Sequence, residues 1–217
     1  MYTKLIIATL LSLFLLVGCS PDTETKDTPT TDLKKTAWQN GDIIFQESRS
    51  GLSEMIQLAT QSKYSHVGIV YENEGKWMVL EAVQPVQIIP IERWTKRGKN
   101  GHYVLKRLKD TSPIQQSQTI EKMKTIGKGH LGKDYDGYFE WSDTKMYCSE
   151  LVWKIYHEGA NIDIGNPQLI TDFDLSHPVA QRLIKERYNG TIPADAQIIS
   201  PAALFDSPLL QTVRTVN

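Results

Sequence analysis

His66-Val67-Gly68-Ile69-Val70-Tyr71, then Asn73-Glu74-Gly75, then Trp77-Met78-Val79-Leu80-Glu81-Ala82-Val83 reads as two apolar strands joined by a tight turn. Two features of this hairpin are odd. His66 starts a strand flanked by small or apolar residues, and Glu81 sits between Leu80 and Ala82, where an unpaired charge is costly. The turn decides whether the two meet. A two-residue turn at Asn73-Glu74 sets His66 opposite Glu81. A turn at Glu74-Gly75 sets His66 opposite Val83, with Glu81 diagonal on the same face. A three-residue loop would put them on opposite faces.

Outward from the hairpin, Asn40-Gly41-Asp42 turns into a strand at Ile43-Ile44-Phe45, and Ser50 or Ser53 caps a short helix ending at Ala59. Val86 to Ile91 and Tyr103 to Leu108 read as further strands, with a helical turn from Glu92 to Gly98 between them. Pro113 opens a helix to Gly127. Cys148 to Glu158 has apolar positions spaced by three and four and stops at Gly159; Ser176 to Tyr188 is a helix capped by Ser176. Ile198 to Phe205 is a strand end entering a short helix. Antiparallel strands with flanking helices make an α+β domain.

The first residues are of another kind. Lys4 is followed by the apolar stretch Leu5 to Val17, and Leu16-Val17-Gly18-Cys19 ends it. The run is short for a spanning helix and suits a signal h-region. Its ending resembles the bacterial lipoprotein signal, which implies cleavage before Cys19 and lipidation there; without that resemblance the stretch reads as an ordinary secretory signal or short anchor. Ser20 after Cys19, in place of Asp, resembles proteins sent to an outer membrane where the organism has two membranes. Ser20 to Lys35 is rich in Thr, Asp, Lys and Pro and reads as a tether. The expected organisation is a leader at 1–18, lipidated Cys19 and tether at 19–36, and one folded domain at 37–217.

The net charge of -1 over 217 residues argues against a general nucleic-acid binder. The sequence has no phosphate loop, serine elbow or His-Glu-x-x-His motif, and no Cys/His spacing of the usual zinc kind. No cofactor is expected. With Cys19 lipidated, Cys148 has no disulfide partner in the chain. It stands at a helix start, where the helix dipole favours thiolate. The plainer alternatives are a small buried hydrophobe at 148 and a structural His66–Glu81 pair. Of the other histidines, His157 lies too far along the Cys148 helix to reach the thiol. His130 and His177 lie in polar, loop-like contexts.

Gly41-Asp42-Ile43-Ile44-Phe45, Tyr64-Ser65-His66-Val67-Gly68-Ile69-Val70, Leu80-Glu81-Ala82 and Tyr147-Cys148-Ser149-Glu150-Leu151-Val152 occur in an order that resembles the YiiX/YebB-like family, circularly permuted papain-like hydrolases of the NlpC type. The resemblance spans roughly Gly41 to Leu204. It implies a papain-like antiparallel sheet or small barrel packed against the Cys148 helix. It also implies a triad of Cys148 as nucleophile, His66 as base then acid, and Glu81 as the group orienting His66. The expected activity is thiol hydrolysis of an amide or ester at the cell envelope, on a cell-wall peptide or on a lipid or other acylated small molecule. A non-catalytic envelope binding module on the same fold is the competing expectation. Tyr64 and Tyr147 are placed either to line the site or to pack in the core.

Overall fold

The computed structural model describes residues 38–217 apart from residue 194. The expected leader, Cys19 and tether lie outside the described residues.

Four central segments follow the sequence pattern. Strands β1 (Ile43–Gln46), β2 (His66–Asn73), β3 (Lys76–Glu81) and β4 (Gln87–Pro90) run antiparallel side by side. Strand β5 (Tyr103–Leu108) pairs with the other edge of β1. Three helices lie between these strands: α1 (Gly51–Thr60), its N-terminus capped by the Ser50 hydroxyl, a short α2 (Ile91–Thr95), and a 3-10 turn at Lys99–Gly101. Beyond β5 come α3 (Ser112–Gln115), α4 (Ser117–Gly129), two short parallel strands β6 (Asp134–Tyr135) and β7 (Lys145–Met146), and α5 (Cys148–Ala160). The chain ends with β8 (Gln168–Leu169), a 3-10 turn, α6 (Pro178–Tyr188), β9 (Gln197–Ile198), α7 (Pro201–Phe205) and β10 (Leu210–Val216). β8 and β9 pair with each other. The resulting six-stranded sheet has the order β10-β5-β1-β2-β3-β4. Of the two expected forms, sheet or small barrel, the described residues form an open sheet.

Alternation along the strands gives the sheet two apolar faces. Ile43, Phe45, Val67, Ile69 and Leu80 join the larger core, against Leu151, Val152 and Ile155 of α5. Ile44, Val70, Val79 and Leu105 form a second core with Trp38, Trp94 and Tyr103. Helix α5 packs on β2 and β3, with α4 beside it.

Three expected boundaries move. The helix from Pro113 is two helices, because Gln116 is extended between them. Gly159 is inside α5, and the left-handed residue that ends the helix is Asn161, with φ 56°. Gly159 is needed for packing: a Cβ there would stand 2.5 Å from the Met123 side chain and 3.0 Å from Met123 Cα. The cap of α6 is His177, whose side chain accepts from Val179 N, so the Ser176 expectation is one residue early. Strand β10 was not anticipated. Its burial is one-sided and largely exposed, which leaves little apolar alternation to read.

Candidate active site

The β2–β3 hairpin has the two-residue turn Glu74-Gly75, both at positive φ, with Asn73 opposite Lys76. Ile69 therefore faces Leu80. Continued one step, that register puts Gly68 opposite Glu81 and His66 diagonal to it on the same face, the second of the arrangements the sequence allowed. Gly68 carries no side chain because none fits: a Cβ would lie 2.5 Å from the Val79 side chain and 3.1 Å from the Leu80 carbonyl oxygen. The His66 Nε2 to Glu81 Oε2 distance is 2.7 Å. A three-residue loop is excluded.

Glu81 is 0% exposed and is held by more than the histidine. Trp94 Nε1 donates to Oε2 at 2.8 Å, Gln87 Nε2 donates to Oε1 at 2.9 Å, and Arg97 Nη2 also donates to Oε2. Burial by itself would raise this carboxyl. The hydrogen bond and charge of His66, with the charge of Arg97, outweigh it and hold Glu81 down at about 2. The carboxylate is thus fixed and ionised. Trp94 also stacks on the His66 ring at 5.9 Å, which fixes the plane of the imidazole.

The Cys148 thiol comes from the larger core to meet this ring. Cys148 is 2% exposed and His66 8%. Burial pulls the His66 value down, but hydrogen bonds to Cys148 and Glu81 and their negative charge push it up to about 9. The three residues named from the sequence are therefore together. Gln87, Trp94 and Arg97, the donors that hold Glu81, were not foreseen. The only signal was general, that a buried carboxylate needs donors, and it does not say which.

The start of α5 is pinned from below. Tyr147 OH accepts from Ile199 N at 3.1 Å, and Ser149 Oγ donates to Ile199 O at 2.7 Å. Glu150 accepts from Tyr147 N at 3.4 Å and pairs with Lys154 Nζ at 2.9 Å. Burial pushes Glu150 up to about 7 despite that lysine. Tyr64 packs in the core, stacked on Phe205 at 4.0 Å. Tyr147 is buried too, but one side of its ring reaches a cavity that Cys148 also lines.

That cavity runs between α1, α6, the 136–144 segment and the start of α5, and none of its described lining residues is charged. Phe139 closes one side in a left-handed conformation, φ 57°, with its ring edge-on to Tyr147 at 5.3 Å. Among the described residues no group of three or more His, Cys, Asp or Glu is placed to hold a metal ion. No helix among them is long and apolar enough to cross a membrane.

With this geometry established, comparison with known proteins gives consistent results. Residues 37–214 match the model of the "permuted papain-like amidase enzyme, YaeF/YiiX, C92 family". The uncharacterized protein YiiX of Escherichia coli K12 is 45% identical over 179 residues, covering 82% of this chain and 87% of that protein. A crystal structure of YiiX from Escherichia coli O157:H7, described as a metalloprotein, superposes with a TM-score of 0.76 at 42% identity, covering 82% of this chain and 97% of that one.

Proposed function

Since the chain belongs to the YaeF/YiiX family of permuted papain-like amidases, we propose that it is a thiol hydrolase of the bacterial cell envelope, cleaving an amide or ester with Cys148, His66 and Glu81. The observation that carries this reading is the shared imidazole. His66 lies beside the Cys148 thiol, which raises the pKa of the ring, and its Nε2 is 2.7 Å from a buried carboxylate. That is the nucleophile–base–orienting arrangement that acyl transfer needs.

In the proposed reaction Cys148 Sγ, as thiolate, forms a bond to the substrate carbonyl carbon. The charge that develops on the oxygen is met by N–H groups of the first turn of α5, which have no acceptor within the helix. His66 gives its proton to the leaving amine or alcohol as the C–N or C–O bond breaks. Water, with its proton drawn off by His66, then releases the acid and the thiol. Glu81 stays ionised throughout and fixes the ring orientation. Among the described residues no three His, Cys, Asp or Glu are grouped to hold a metal of the kind the YiiX crystal structure is described as containing. The lipoprotein-like leader ending at Cys19 supports the envelope location.

The test is alkylation of the purified protein with iodoacetamide, mapped by mass spectrometry, alongside hydrolysis of an activated ester. Modification of Cys148 in step with loss of hydrolysis, and slowing of both by His66→Ala, is the expected result. Undiminished hydrolysis by Cys148→Ala would end the proposal. An inert thiol with no hydrolysis would favour the non-catalytic binding module.

A further inference from the structure

We infer that a second cleft, at the end of the sheet far from His66, binds a neutral oligosaccharide through the aromatic and carboxamide side chains that line it. This goes beyond the hydrolase reading and does not depend on it. The cleft lies where the turn before β1 meets the tip of the β2–β3 hairpin and the start of α3. Trp38 and Trp77 supply ring surface, and Gln39, Asn40, Thr111 and Gln115 supply carboxamides and a hydroxyl. None of the described lining residues is charged. Glu72, which faces Trp77 across the hairpin, is six residues along β2 from His66. At about 3.3 Å per residue the cleft stands roughly 20 Å from the catalytic ring, so it is a separate site.

Its walls are fixed by the fold. Trp38 stacks on Tyr103 with ring centres 6.2 Å apart. Gln39 N donates to Asp42 Oδ2 at 2.9 Å, and buried Asp42 is held in turn by Arg107, whose Nε and Nη2 donate at 2.6 and 2.8 Å. Asn40 Oδ1 accepts from Glu72 N at 2.7 Å, which ties the turn to the hairpin beside Trp77. Gln115 Nε2 donates to Thr111 Oγ1 at 2.8 Å. These bonds leave part of each polar group over. The Gln39 carboxamide, Asn40 Nδ2, Gln115 Oε1 and the Trp77 indole N–H have no partner among the described residues, and the Thr111 hydroxyl keeps its proton to donate. The cleft therefore offers uncharged donors and acceptors beside a half-buried indole. An ionic ligand finds no counter-charge in this lining, and a hydrocarbon would leave the carboxamides unsatisfied. A pyranose meets both conditions. Its C–H face packs on an aromatic ring, and its hydroxyls each donate and accept.

Calorimetric titration of the purified protein with tetra-N-acetylchitotetraose and, separately, with cellotetraose tests the assignment. Both probes carry flat pyranose faces and differ in the acetamido group, so they separate an N-acetylated glycan from a plain glucan. At least one is expected to bind. Trp77→Ala should weaken that binding about tenfold, and Trp77→Phe should restore most of it. Gln39→Ala removes an exposed carboxamide that the fold does not use, so this variant should fold as the parent does; it should weaken binding about threefold to tenfold, the loss of one hydrogen bond. Turnover of a soluble acetyl ester should be unchanged in Gln39→Ala. Failure of both sugars to bind overturns the site. Binding that Trp77→Ala and Gln39→Ala leave undiminished overturns its location. Neither failure touches the hydrolase reading, and an inert Cys148 leaves the cleft standing.

Discussion

At the scale of single residues the site turns on one carboxylate. Glu81 is held well below its ordinary 4.5, at about 2, and His66 well above its ordinary 6.5, at about 9. The imidazolium, the acid that protonates the leaving group in the proposed reaction, therefore persists to about pH 9 and is lost above it. Glu81→Gln removes the carboxylate charge beside His66 and keeps the side-chain shape. We expect kcat/KM at neutral pH to fall on the order of 10²- to 10⁴-fold. We also expect the alkaline limb to move down from about 9, because His66 then loses the hydrogen bond and charge of the carboxylate that raise it. The measurement is kcat/KM against pH for both proteins; an alkaline limb that stays in place would remove Glu81 from the role. Stability carries its own sign. A carboxylate lowered from 4.5 to about 2 stabilises the fold fully above about 4.5, and that contribution is lost as pH falls toward 2. Acid unfolding of Glu81→Gln followed by circular dichroism should accordingly be less steep over that interval. This much was legible from local sequence, since a histidine and a glutamate in apolar strands demand each other. Arg97 was not, because its side chain arrives from a turn with no periodic pattern to aim it.

At the scale of elements the thiol is placed by how closely α5 can approach its neighbours. Two glycines set that approach. A Cβ on Gly127 of α4 would meet the Leu80 side chain at 2.4 Å and Ile155 at 3.2 Å, and Gly159 of α5 is equally crowded against Met123. Gly159→Ala tests which effect wins. Helix propensity favours alanine by about 1 kcal/mol. Overpacking opposes it by about 1–3 kcal/mol, and the 3.0 Å approach to Met123 Cα involves backbone, which yields less than a side-chain tip. We expect net destabilisation of about 1–2 kcal/mol in urea unfolding; an alanine variant more stable than the parent would show that the helices separate freely. The apolar face of α5 is legible in its spacing of three and four, but the expected end at Gly159 is early, because a glycine near a helix end looks like a cap. Only the tertiary contact shows it as a spacer, with Asn161 as the cap. For the same reason the cavity beside Cys148 was illegible: its walls come from α1, α6 and the 136–144 segment, which no local pattern brings together.

At the scale of the whole molecule the question is where the activity is delivered. The described residues 38–217 contain all three proposed catalytic groups and the apolar cavity. No helix among them is long and apolar enough to cross a membrane. Leu16-Val17-Gly18-Cys19 followed by a polar segment to Lys35 resembles a lipoprotein signal, and we propose lipid on Cys19; one acyl chain holds a protein to a bilayer only marginally where two or more hold it stably. Anchoring and chemistry should then separate cleanly. We expect Cys19→Ala to abolish incorporation of radiolabelled palmitate and to move the protein out of the sedimenting membrane fraction. Turnover of a soluble acetyl ester per molecule of purified protein should be unchanged, because Cys19 is not among the three residues proposed to carry the chemistry. Retention of label after Cys19→Ala would refute the anchor. A variant that loses both label and acetyl-ester turnover would show instead that the segment before residue 38 contributes to the site.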